Sequence, residues 1–287
     1  MTDKLRKIIT ILLAVIFVGS TVMFIGRLLD SAEAAESYQE AEAIAARPRE
    51  TEALKPAKPE SEATVPAEPV ATEPLIEWVV APVEEDEHMK KLKDINLEAL
   101  REKNPEVVGW IFAPNCRINY PIVKGEDNQY YLNHTWDNRR SVAGAIFMES
   151  TNAPDFSDFR TILYGHNMAD FSMFGALHRY ESKVSLSRNP YVYLVTDEGV
   201  LRYEIYSSYK AEVESGTYAL DLEDNAYKAA FIKLTKEEAF FDTGITPAVT
   251  DRILTLSTCA GGESTRRVVH ARLPMIPVEI KTDSPQA

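Results

Sequence analysis

"ILTLSTCAGGESTRRVVHARL", residues 253–273, carries one of the two cysteines in the chain between two β-rich runs. "ILTLSTC" alternates in character, "RRVVHARL" is rich in β-formers, and residues 260–265 between them include a Gly-Gly pair, so the stretch reads as a hairpin. If the strands are antiparallel and the register follows this connection, Cys259 lies opposite Arg266. Directly opposed residues share a face, with Cβ atoms about 4.5–5.5 Å apart. Arg267 then points away, and a slip of one residue would exchange the two arginines. A cysteine beside a guanidinium has chemical meaning, because nearby positive charge favours the nucleophilic thiolate. The arginine stays protonated and cannot act as a base, but it can hold a carbonyl or steady an oxyanion. The missing partner is a general acid and base, most often histidine. Two other roles for Cys259 stay open: a small buried hydrophobe, or half of a disulfide with Cys116 in the turn-like "APNCRI".

Five histidines are available. His88 falls at the edge of a polar segment and is expected to be solvated. His178 in "ALHRYES" reads as a helix surface residue. His270 follows Arg266 on the same nominal face, where a core role is expected. His134 in "YYLNHTW" sits among aromatics. His166 in "LYGHNM" ends an apolar strand at a glycine-containing turn, where a ring can be presented to a cleft; it leads, with His134 next. Two cysteines without CxxC or HxxxH spacing argue against a zinc site, and the carboxylates show no pairing of the glycosidase kind.

Outward from the hairpin, short runs separated by turn signals recur: "VVGWIFA", "INYPIVKG", "GAIFMES", "RTILYG", "YVYLVT", "LRYEIYSSYKAEV", "RILTLSTC" and "RRVVHARLPMIPVEI". Such spacing predicts a β-barrel or sandwich. Two helical patterns accompany it, "INLEALREKN", stopped by Pro105, and "NAYKAAFIKLTKEEAFF" over 225–241.

The N-terminal part differs. Residues 8–26 are uncharged and mostly apolar, long enough at about 1.5 Å per residue to cross a hydrocarbon core of about 30 Å. Lys4, Arg6 and Lys7 precede them, so the positive-inside rule puts the N-terminus in the cytoplasm and the remainder outside. A cleaved signal peptide, using the small residues of "AEAA" at 32–35, is the rival; the apolar core is longer than such peptides usually carry. Residues 31–88 hold fourteen Glu and one Asp against four Lys or Arg, with seven prolines, so most of the net charge of -13 belongs to this segment. Low apolar content predicts a disordered stalk with at most a transient helix. The expected organisation is a cytoplasmic N-terminus (1–7), a transmembrane anchor (8–28), an acidic stalk (29–88), a catalytic domain (89–281) and a polar tail (282–287). No basic stripe suggests nucleic acid.

Together these residues resemble the sortases, class B in particular. "TLSTC" is similar to the sortase cysteine motif, "RRVVHARL" to the strand with the family arginine, and "LYGHNMADFSMFGALHRY" to the histidine segment. "INYPIVKGEDNQYYLNHTW" and "GAIFMES" resemble the first half of a class B domain, and 225–241 matches the additional helix of that class. The resemblance implies a mainly β fold, an eight-stranded sortase-type barrel with a few peripheral helices. It implies a cysteine transpeptidase with His166, Cys259 and Arg266 as catalytic residues and with neither metal nor organic cofactor. Its substrates would be secreted proteins with a C-terminal sorting motif, cut after Thr and passed to an amine of a peptidoglycan precursor or to a pilin lysine. The alternatives are a pilin-polymerising sortase, another extracellular cysteine enzyme, or a catalytically retired surface binding module. A peptidoglycan L,D-transpeptidase would show a His-Gly-Cys type motif, which is absent.

Overall fold

The computed structural model describes residues 3–48, 75–219, 222, 224–259 and 264–280. Eight strands close a barrel: β2 (Val107–Ala113), β3 (Ile118–Val123), β4 (Ile146–Met148), β5 (Arg160–His166), β6 (Tyr191–Thr196), β7 (Gly199–Glu212), β8 (Arg252–Cys259) and β9 (Thr265–Leu273). Around the barrel the order is β2-β3-β4-β5-β8-β9-β7-β6, with β6 returning to β2. The expected eight-stranded barrel is therefore present. Each of the eight β-rich runs supplies one wall strand.

Two pairs, β3·β4 and β5·β8, are parallel; the other neighbours are antiparallel. Alternation sorts side chains to the two sides of the wall. Trp110, Ile122, Ile146, Leu163, Leu194, Leu254, Leu256 and Val269 belong to the main core. On the outer side of β8, Ile253 joins Tyr206 and Phe231 in a second cluster. Phe231 comes from α5 (Asn225–Glu237), the helix after the short α4 (Lys183–Arg188), and α5 begins on an N-cap in which Asp224 accepts from the Ala226 amide.

The earlier helical pattern forms α3 (Leu97–Arg101), capped by Asn96, whose side chain accepts from the Ala99 amide. Before it lie β1 (Leu75–Val80) and α2 (Glu87–Leu92). The ribbon of β1 with β10 (Met275–Ile280) stands outside the barrel. The last run, "TRRVVHARLPMIPVEI", thus has two fates: 265–273 enters the wall and 275–280 leaves it after Pro274.

The stalk is where structure and expectation part. α1 (Asp3–Ala45) runs without a break from the apolar segment into the acidic one. Residues Ala34, Ser37, Tyr38, Ala41, Ile44 and Ala45 are buried against the domain. These positions recur every three or four residues, so they form one stripe on the helix. The stripe is mostly small residues, and small side chains let a helix lie close to its partner. Polar contacts fix the dock. Tyr38 Oη donates to the Gly144 carbonyl at 2.6 Å, and Trp136 Nε1 donates to the Ser37 carbonyl at 3.0 Å. Glu40 pairs with Lys103 and Arg139. Burial supplies what the low apolar content withheld, so the acidic residues up to Ala45 are folded, as are β1 and α2. The proline-rich part of the expected stalk, 49–74, and the tail 282–287 lie outside the described residues. Over its N-terminal part α1 is long and apolar enough to cross a membrane, by length and composition.

Candidate active site

The parallel pairing of β5 with β8 ends on the partners His166 and Cys259. The antiparallel pairing of β8 with β9 runs from Arg252 opposite Leu273 to Ser257 opposite Val268. The same register continued by two residues sets Thr258 opposite Arg267 and Cys259 opposite Arg266. The Arg267 amide donates to Thr258 Oγ1 at 3.0 Å, which holds the two strands together at this point. His166, Cys259 and Arg266 therefore occupy one row across three adjacent strands, spaced about 4.8 Å apart in the hydrogen-bonding direction. The three residues singled out in the sequence are more than ninety positions apart at the extremes and meet only through these two pairings.

Each flank of the row is built from local requirements. His166 is half-buried, and its Nε2 lies 2.6 Å from the Leu132 carbonyl. A carbonyl only accepts, so Nε2 carries a proton, and in the neutral ring Nδ1 keeps the open lone pair. Gly144 packs against the same ring. Its φ is +57°, and an added Cβ would lie 2.6 Å from the Tyr131 carbonyl oxygen and 3.0 Å from His166 Cδ2. On the inner side Gly165 lets Phe174 close over the strand end, since a Cβ there would meet Ile146 at 2.5 Å and Phe174 at 2.8 Å. The Phe174 amide then donates to the His166 carbonyl at 2.9 Å. The loop carrying Leu132 and Gly144 is also the loop on which α1 docks through Tyr38, so helix and histidine share one support.

Arg266 and Arg267 separate. Arg267 Nε donates to Glu181, on a short 3-10 helix spanning Gly175–Glu181, and both side chains are mostly buried. That guanidinium is committed to an ion pair. Arg266 is half-buried at the register position opposite Cys259.

The other histidines are used elsewhere. His270 lies on the same face as Arg266, as expected, but under α5. It is fully buried, with Nδ1 3.0 Å from Thr255 Oγ1, Nε2 3.2 Å from Tyr209 Oη, and Phe231 edge-on at 5.7 Å. Burial, helped by the Arg160 charge, lowers its pKa to about 3. The sign follows: between about pH 3 and 6.5 the unfolded imidazole binds a proton that the folded one refuses, so stability falls as pH drops through this window. The loss is about 2 kcal/mol between pH 7 and pH 5. Denaturant unfolding of the wild type and His270→Gln at both pH values should show that increment in the wild type only. His134 stacks on Tyr130 at 4.0 Å, and its Nδ1 lies 2.8 Å from the Tyr130 carbonyl. His178 is half-buried on the 3-10 helix beside Phe171. His88, expected to be solvated, instead packs against Phe112 and Tyr193, because the chain before residue 89 is folded onto the barrel.

Cys116 is a free thiol, which removes the disulfide alternative. Its Sγ donates to the Ala176 carbonyl at 3.2 Å, and burial pushes its pKa up to about 12. A disulfide-exchange reagent such as DTNB at pH 8 should therefore titrate one thiol in the native protein. None should react in Cys259→Ala until denaturant is added. Fast reaction of a thiol in native Cys259→Ala would refute this partition.

Among the described residues no group of three or more His, Cys, Asp or Glu side chains is arranged to hold a metal ion. The chemistry on offer is covalent: a cysteine position flanked by a proton carrier and a guanidinium.

Comparison with known proteins gives a consistent result. The sortase domain family model matches residues 111–274. Sortase B of Listeria monocytogenes is 34% identical over 166 residues, 57% of this chain and 66% of that protein. Solved sortase B structures are similar in fold. Sortase B from Bacillus anthracis, in complex with AAEK1, has a TM-score of 0.64 at 29% identity, covering 86% of this chain and 98% of that one. A Staphylococcus aureus sortase B–substrate complex has a TM-score of 0.59 at 28% identity, covering 64% and 85%.

Proposed function

Because the chain belongs to the sortase family, whose members are cysteine transpeptidases acting on sorting motifs, we propose that it is a membrane-anchored extracellular class B enzyme. It cleaves a C-terminal sorting motif after Thr in secreted proteins and passes the acyl group to an amine of a cell-wall precursor. In this reading residues 1–7 are cytoplasmic, 8–28 span the membrane, and 89–281 are the catalytic domain.

Cys259 attacks the Thr carbonyl as a thiolate, forming the C–S bond and a tetrahedral oxyanion. Collapse breaks the peptide bond, and the departing amine takes its proton from His166. The incoming amine gives a proton back to His166 as it attacks the thioester, and the thiolate leaves. Arg266 holds the motif and steadies the oxyanion. The observation that carries this assignment is the row His166–Cys259–Arg266 across β5, β8 and β9.

Intact-protein mass spectrometry of the chain mixed with NPxTN-like, LPxTG-like and Pro-Pro-x-Thr-Gly peptides tests it. The expected result is a mass gain equal to the N-terminal peptide fragment, mapped to the tryptic peptide 253–266. A folded protein with a reactive Cys259 thiol and no adduct or cleavage with any peptide would favour the binding-module alternative.

The arginines give a second test. Arg266→Ala is expected to lower kcat/KM by about 10²–10³ with little change in stability. Arg267→Ala is expected mainly to lower Tm, because it leaves Glu181 without its partner. The reverse pattern in peptide kinetics and thermal unfolding would exchange their roles.

A further inference from the structure

The exposed apolar surface of α1 continues onto two loops that flank His166. Exposed apolar side chains run along the helix from Ile9 to Leu29. That is about 30 Å of helix, the thickness of a hydrocarbon core. The next residue, Asp30, is already attached to the barrel. Its Oδ2 accepts from the Val142 amide at 3.0 Å and from Ser141 Oγ at 3.2 Å. No free length of chain separates the end of the apolar stretch from the folded domain. Val142, held at this junction, is 55% exposed. Directly after Asp30, Ser31 and, one turn on, Ala35 line a cleft with Ala143, Asp170 and Ser172. Between those last two residues Phe171 is 57% exposed at φ +66°, a backbone conformation unfavourable for a bulky side chain. Arg140, exposed two residues before Val142, adds a cation of the kind that anionic lipid headgroups attract. Asp170, also exposed, has its carboxylate engaged on its own loop, accepting from the Ser172 amide and hydroxyl.

We infer that the loops 141–144 and 168–173 form a membrane-contact surface, with Val142 and Phe171 seated in the lipid interface beside the emerging helix. This rests on the proposed membrane anchoring of α1. Water-exposed Val and Phe at the foot of an apolar helix gain by burial in the interface. The same loops support His166: Gly144 touches its ring, and Asn167 and Met173 bridge just past it. The row at the end of β5 and β8 therefore opens close to the bilayer.

The test uses full-length protein in phosphatidylcholine–phosphatidylglycerol vesicles with and without brominated acyl chains, which quench nearby tryptophan. Val142→Trp and Phe171→Trp report the two loops, and Phe24→Trp reports the span. Native Trp78 lies near Thr250 and Arg252, at the opposite end of β8, and serves as the distant reference. The expected result is loss of the added emission in brominated vesicles for all three variants, with the parent protein changed little. Quenching of Phe24→Trp without quenching of Val142→Trp and Phe171→Trp would overturn the contact surface and leave the anchor intact. No quenching at Phe24→Trp would overturn the anchor, and the surface with it.

Discussion

Cys259→Ala is expected to lower turnover of a sorting peptide by at least about 10⁴-fold and to abolish the covalent adduct, while thermal unfolding stays near the wild type. The size follows from what is removed. Without the thiolate no acyl-enzyme forms, and the split of one difficult step into two easier ones is lost. The fold is expected to survive because Cys259 is the last residue of β8, and the strand's packing is carried by Ile253, Leu254 and Leu256 below it. The measurement is kcat/KM by peptide cleavage, with intact mass after incubation. Residual turnover within about tenfold of wild type would remove Cys259 from the nucleophile's role.

His166→Ala is expected to cost about 10²–10⁴ in kcat/KM, the usual range for a positioned acid–base group. Both half-reactions pass a proton through this residue, so acylation and transfer to the amine should slow together in single-turnover experiments. The Nε2–H contact to the Leu132 carbonyl leaves Nδ1 to carry that proton. The wild-type pH–rate profile should accordingly lose one limb in the variant. Loss of activity with an unchanged profile would instead mark His166 as structural. His134→Ala is the comparison, since that ring is engaged with Tyr130 and should cost little.

Local pattern carried far in this protein. Alternation and turn spacing located all eight wall strands, and the hairpin register favoured Arg266 over Arg267 as the residue opposite Cys259. Register in a sheet with one packed face is strongly specified, and β8 pairs with β9 in the register the connection predicts. Ile253 and Thr255 face α5, Leu254 and Leu256 face the barrel interior, and a slip would invert both sets. The acidic stretch up to Ala45 is folded, against the composition, for an equally physical reason. Composition measures how much apolar surface a segment has, and 31–45 has little. It does not measure whether a narrow stripe of Ala, Ser and Tyr faces a ready surface. β1 was hidden in the same way, because its partner β10 lies almost two hundred residues on.

The sequence by itself determined the strand inventory, the hairpin of β8 and β9, the apolar helix and the pool of reactive side chains. Only the tertiary structure decided which of those side chains meet. The parallel pairing of β5 with β8 has no turn joining the two strands, so nothing local could set His166 beside Cys259. His166 and His270 both end up on the outer face of the wall, on β5 and β9, the two neighbours of β8. α5 covers His270 and makes it a neutral core residue, while His166 lies half-buried at the end of β5. Which histidine can carry a proton is thus fixed by what packs over the sheet, and packing is a property of the assembled fold.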